Sequence, residues 1–80
     1  MALKLLFFAQ SADWLKRSQM RISIDKPMTI EAVLKNTKEL SPIFDHREIL
    51  KVSINCKFAD FKTEVCDGDE VAFLPPVSGG

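Results

Sequence analysis

The sequence predicts a two-layer α+β domain, one sheet covered on one face by one main helix. Three observations predict it. Short runs near both ends of the chain and past its middle alternate apolar and polar residues. A single segment carries a helical stripe with a cap in front of it. The order of these pieces is strand, strand, helix, strand, short strand, strand. One striped helix and one half-apolar sheet satisfy each other by packing face to face.

The first strand is "ALKLLFF". Strand side chains change face at every residue, so Leu3, Leu5 and Phe7 share one side and Lys4, Leu6 and Phe8 the other. Lys4 marks the second side as the outer one. "SADWLKRS" reads as a loop with a helical tendency, with Ser11 or Asp13 as its cap and Trp14 and Leu15 folding back on the core. In "MRISI", Met20, Ile22 and Ile24 face inward and Arg21 and Ser23 outward, and this run pairs with the first strand. "DKPMTIEAVLKNTKEL" is the main helix. Pro27 bars an earlier start and Thr29 occupies the N-cap. Ile30, Val33, Leu34 and Leu40 fall near helical spacing. Glu31 at the start and Lys35 and Lys38 near the end suit the helix dipole.

"SPIF" reads as a second, brief helix with Ser41 as cap and Pro42 at the first position. "EILKVSIN" is a third strand, Leu50, Val52 and Ile54 alternating with Lys51, Ser53 and Asn55. "CKFADF" is a short strand after a turn. Asp67 to Glu70, "DGDE", make a turn, because Asp and Gly favour tight geometries. In "VAFL" Val71 and Phe73 face inward, Ala72 and Leu74 outward. Pro75 and Pro76 end the strand, since proline brings no amide to a ladder.

Composition narrows the function. Eighty residues make one small domain, which buries roughly 60–65% of the surface its unfolded chain exposes. Hydrophobic residues are 46% and charged residues 28%, a globular balance. Lys+Arg and Asp+Glu both total 11, which excludes the broad basic field of a nucleic-acid binder and a polybasic membrane patch. Cys56, Cys66 and His46 lack zinc spacing, so the cysteines read as free thiols packed as small hydrophobes in a reducing compartment. The start, "MALKLLFFAQSA", has too short an apolar run for a secretory signal. No stretch approaches transmembrane length, and the expected location is cytoplasmic.

"DGDEVAFLPPVSGG" at the end, "LLFFAQ" at the start and Ile54-Asn55 ahead of the last strands resemble the small, sulfur-carrying subunits of molybdopterin synthases. The Pro-Pro-Val-Ser-Gly-Gly ending after a strand is the specific part; residues 36 to 48 carry no resemblance. The family implies a ubiquitin-like β-grasp fold with a mixed sheet of four to five strands. It also implies a body over residues 1–74 and a flexible tail over 75–80. An ATP-dependent adenylyltransferase of the ubiquitin-activating kind would convert the Gly80 carboxylate to a transient acyl-adenylate. A sulfur-donor protein would then leave a C-terminal thiocarboxylate, a 1-thioglycine. Inside the large synthase subunit that sulfur would attack a cyclic pyranopterin monophosphate, and two deliveries would build the dithiolene. The family also implies a heterotetramer and no bound cofactor.

The residues suit that task. Gly79 and Gly80 have no Cβ and admit backbone angles closed to other residues, as a chain threading a narrow channel requires. Val77, Ser78, Gly79 and Gly80, if extended, span about 13–14 Å. Pro75 and Pro76 restrict φ and lower the entropy lost on docking. Leu6, Phe8 and Leu74 project from the face the helix leaves bare, and form an apolar partner surface that Phe58 extends if it faces the same way. Asp67, Asp69 and Glu70 read as a solvated acidic turn rather than a metal site, and His46 as a surface residue. There is no general acid or base, as expected of a carrier whose catalytic groups belong to its partners. The alternatives are a sulfur carrier for the thiazole of thiamin, a ubiquitin-like modifier that forms isopeptide bonds, and an interaction domain with an inert tail.

Overall fold

The computed structural model describes residues 2–75. The alternating start forms β1 (Leu3–Phe7), and Leu3, Leu5 and Phe7 are buried. After α1 (Gln10–Leu15), β2 (Gln19–Ile22) returns antiparallel to β1, with Leu3 opposite Ile22 and Leu5 opposite Met20. A two-residue strand, β3 (Met28–Thr29), leads directly into α2 (Ile30–Asn36). A 3-10 turn (Lys38–Leu40) and α3 (Ser41–Asp45) follow. The remaining strands are β4 (Lys51–Ile54), β5 (Lys57–Ala59), β6 (Glu64–Val65) and β7 (Glu70–Leu74).

The main sheet has the order β2-β1-β7-β4-β5, and β3 and β6 pair separately. The last strand is thus central, parallel to β1 and antiparallel to β4. Strands β2 and β4, joined through the helices, are not neighbours. This is the ubiquitin-like β-grasp arrangement. One face of the sheet, carrying Leu3, Leu5, Phe7, Val52, Val71 and Phe73, packs against Ile30, Val33 and Leu34 of α2 and against Leu40 and Ile43. Phe73 is fully buried, its ring stacked on Phe7 at 5.8 Å and Phe61 at 6.3 Å between centroids. Burying one such ring contributes about 1.5–3 kcal/mol.

Thr29 caps α2 as expected, its Oγ1 accepting the Ala32 N–H at 3.1 Å. The helix is shorter than its stripe predicts. Thr37 is extended at φ −121°, and the chain restarts as a 3-10 turn. At about 100° per residue, a continuous helix would also keep Leu40 on the stripe, about 20° from Val33. The helix ends instead at Asn36 and Thr37, both poor helix formers, and Leu40 is fully buried from the 3-10 turn. Ser41 makes no capping bond; the residue before α3 is Leu40, with Pro42 in the first turn. Neither Ser11 nor Asp13 caps α1, which starts after Ala9. The β3–β6 pair escaped the alternation pattern, because two-residue strands are too short to alternate.

Candidate functional site

The chain leaves the sheet at Leu74, next to the end of β1. Phe7 lies opposite Phe73 in the parallel pair, and Lys51 of β4 lies opposite Leu74. Pro75 follows outside any strand and is half-buried. The remaining predicted tail positions, Pro76, Val77, Ser78, Gly79 and Gly80, lie outside the described residues.

The bare face of the sheet rises from these same registers. Leu6 is opposite Gln19 on one side and Ala72 on the other, Ala72 is opposite Ser53, and Ser53 is opposite Phe58. One row therefore crosses all five strands: Gln19, Leu6, Ala72, Ser53, Phe58. The small side chains of Ala72 and Ser53 form a low floor between Leu6 and Phe58. Phe58 faces outward on the same side as Leu6 and is 80% exposed. Leu74 shares that face and is half-buried, as is Leu6. Phe8 lies just past the end of β1 rather than within it, and is 46% exposed. At the far end of the face Lys4 and Glu70 pair at 3.8 Å, a half-exposed contact worth about 0–1 kcal/mol. The face thus carries Leu74 beside Pro75, with the exposed Lys51 next to it, and the Lys4–Glu70 pair at the other end.

Other candidates resolve as structural. Asp67 Oδ1 accepts the Ile24 N–H at 2.9 Å. Asp69 accepts the Cys66 N–H at 2.9 Å and the Asn55 Nδ2–H at 3.0 Å. Asn55 Oδ1 in turn accepts the Glu70 N–H at 2.9 Å. The acidic turn is therefore half-buried and hydrogen-bonded, not simply solvated, and Gly68 supplies its positive φ of 96°. No three-residue group of metal ligands occurs among the described residues. Cys56 and Cys66 are exposed, not packed as small hydrophobes. Cys56 sits in the β4–β5 turn with φ 71°, where a core position is out of reach. His46 is exposed and stacked on Trp14 at 4.1 Å. An open groove of about 670 Å³ beside Ile24 and Asp67 lies at the start of β1, the opposite end of the sheet from Pro75.

Two features escaped the sequence reading. Ser11, weighed only as a cap, is fully buried with its hydroxyl reaching Phe73. Ala9 has φ 51° and ψ −121°, a region that favours glycine. No composition signal marks either one; Ser11 lies four residues after β1 with nothing in the local pattern to single it out.

A family model described as the ThiS family matches residues 5–80. The chain belongs to the ThiS family. It is 33% identical over 82 residues to the molybdopterin synthase sulfur carrier subunit of Escherichia coli K12, covering 98% of this chain and 99% of that relative. Small archaeal modifier protein 1 of Haloferax volcanii has the same fold, with a TM-score of 0.79 at 25% identity over 100% of both chains. A chain from the complex of subunits 1 and 2 of molybdopterin-converting factor of Helicobacter pylori matches with a TM-score of 0.64 at 23% identity, again over 100% of both. This ThiS-family protein is thus a homologue of a molybdopterin synthase sulfur carrier subunit. No described helix is long and apolar enough to cross a membrane.

Proposed function

We propose that the protein carries sulfur on its C-terminal carboxylate for molybdenum cofactor synthesis in the cytoplasm. The observation that carries this reading is the nearly end-to-end relationship to a sulfur carrier subunit. A carboxylate is a poor acyl donor with no good leaving group, so the chemistry begins with activation. An ATP-dependent adenylyltransferase joins AMP to the Gly80 carboxylate and releases pyrophosphate. Sulfur delivered at the sulfide level by a donor protein then attacks the acyl carbon, displaces AMP and leaves a thiocarboxylate, a soft nucleophile at the tip of the chain. In complex with a large synthase subunit it attacks the cyclic pyranopterin monophosphate, and two deliveries complete the dithiolene. The heterotetramer of the family supplies two such tips.

The chain's own residues support the division of labour. Val71 and Phe73 anchor the last strand in the core, so the segment after Leu74 starts from a fixed point. Phe8, Leu6, Leu74 and Phe58 offer the apolar face on which the large subunit and the adenylyltransferase dock in turn. The two exposed thiols suit a reducing compartment.

Deleting Gly80, or adding one residue after it, should abolish sulfur loading while the melting temperature stays unchanged. Undiminished molybdopterin production by either variant would contradict the reading. A second reading, attachment to lysines of other proteins, is favoured by the likeness to an archaeal modifier protein. It predicts isopeptide-linked conjugates in cell extracts, and the sulfur-carrier reading predicts a thioacid.

A further inference from the structure

The end of the β1–β7 ladder is built in an unusual way. The Lys4 N–H donates to the Asp69 carbonyl at 2.9 Å. A parallel ladder repeats every two residues, so the same register brings the Phe8 N–H opposite the Phe73 carbonyl. That rung is not made directly. The Phe8 N–H donates instead to Ser11 Oγ at 2.9 Å. The Ser11 hydroxyl lies 3.2 Å from the Phe73 carbonyl and shares its proton between that acceptor and the Phe8 carbonyl at 2.8 Å. A side chain from α1 thus stands where the next main-chain bond belongs.

Ser11 is also the fully buried polar residue of the described core. A buried hydroxyl is costly unless bonded, and this one spends its bonds on the last rung. Two hydrogen bonds through an oxygen span more than one, so the strands part where Ser11 enters. By strand alternation Leu74 turns its main-chain groups to the β4 side, opposite Lys51. Pro75 has no amide to donate.

We propose that the Ser11 hydroxyl, wedged between Phe8 N–H and the Phe73 carbonyl, fixes the point at which the last strand separates from the first, and so acts as a positioning residue for the C-terminal carboxylate. The second half rests on the sulfur-carrier reading; the first does not. Without the wedge, Leu74 either frays or continues along β1, and the terminal group starts from a different place and direction.

The test uses the full chain with Ser11→Ala, and with Ser11→Cys, which keeps the volume and a weaker donor. Amide exchange by NMR should quicken about tenfold at Phe8 in Ser11→Ala relative to Leu5 and Val52, which report global opening. Ser11→Cys should fall between. In ATP–pyrophosphate exchange with the adenylating partner, kcat should drop about tenfold with KM within twofold of wild type, because the docking face is intact but the reacting group is misplaced. Unchanged exchange at Phe8, or a rise matched at Leu5 and Val52, overturns the release point. A loss confined to KM overturns the positioning role. Absence of adenylation in the wild-type protein would defeat the sulfur-carrier reading, and the amide-exchange result would still decide the release point.

Discussion

Phe58 is a large ring left 80% exposed on a three-residue edge strand. Its burial would contribute about 1.5–3 kcal/mol, and the fold leaves that unused. Phe58→Ser should therefore leave the melting temperature almost unchanged and weaken docking to the large subunit about 30-fold. Equal affinity of both proteins by calorimetry would remove Phe58 from the partner surface. Ala9 presents the opposite case, a residue strained for the fold. Its positive φ is held by the Asp13 N–H on the Ala9 carbonyl at 3.1 Å and by the Ser11 N–H on the Phe8 carbonyl at 3.1 Å. Such a conformation costs an alanine about 1–3 kcal/mol, and glycine adopts it freely. After the entropy glycine adds to the unfolded chain, Ala9→Gly should still stabilise by about 1 kcal/mol, which raises the melting temperature by roughly 4–8 °C in a domain of this size. A lower melting temperature would mean that Ala9 is unstrained.

The elements carry their own compromises. The β4–β5 hairpin turns through Asn55 at φ 51° and Cys56 at φ 71°, the two positive values of a type I′ turn. Asn-Gly is the favoured pair there, and a cysteine in the second place is strained. Cys56→Gly should stabilise the domain by about 0.5–1 kcal/mol in urea denaturation and leave sulfur transfer at wild-type rates. A fall in transfer with the fold intact would give the thiol a part in the chemistry. The long strands and the cap of α2 were legible because alternation and the Thr29 side chain act locally. The shortening of α2 was not, since the stripe runs on to Leu40, which is buried from the 3-10 turn as a longer helix would also have buried it. The acidic turn was located correctly in the chain but misjudged in environment. Its carboxylates bond Cys66 locally, but also Ile24 and Asn55, partners that only the fold brings near.

At the scale of the whole molecule, a domain of this length is held by about 4–12 kcal/mol, and the covered face of the sheet supplies its core. The bare face and the end of β7 are then available for partners. The apolar outer face was legible through Leu6, Phe8 and Leu74, because alternation alone assigns them to one side. Phe58 needed the register with Ser53, which no local pattern provides. Ser11 needed more, since its hydroxyl spans 62 residues of sequence to reach Phe73. The most direct measurement is the intact mass of the protein from cells making molybdenum cofactor. Sulfur in place of one terminal oxygen, carried as a positioned nucleophile, should add about 16 Da, with the added mass confined to the peptide ending at Gly80. A terminal peptide that keeps its ordinary carboxylate throughout active synthesis would contradict the proposed chemistry.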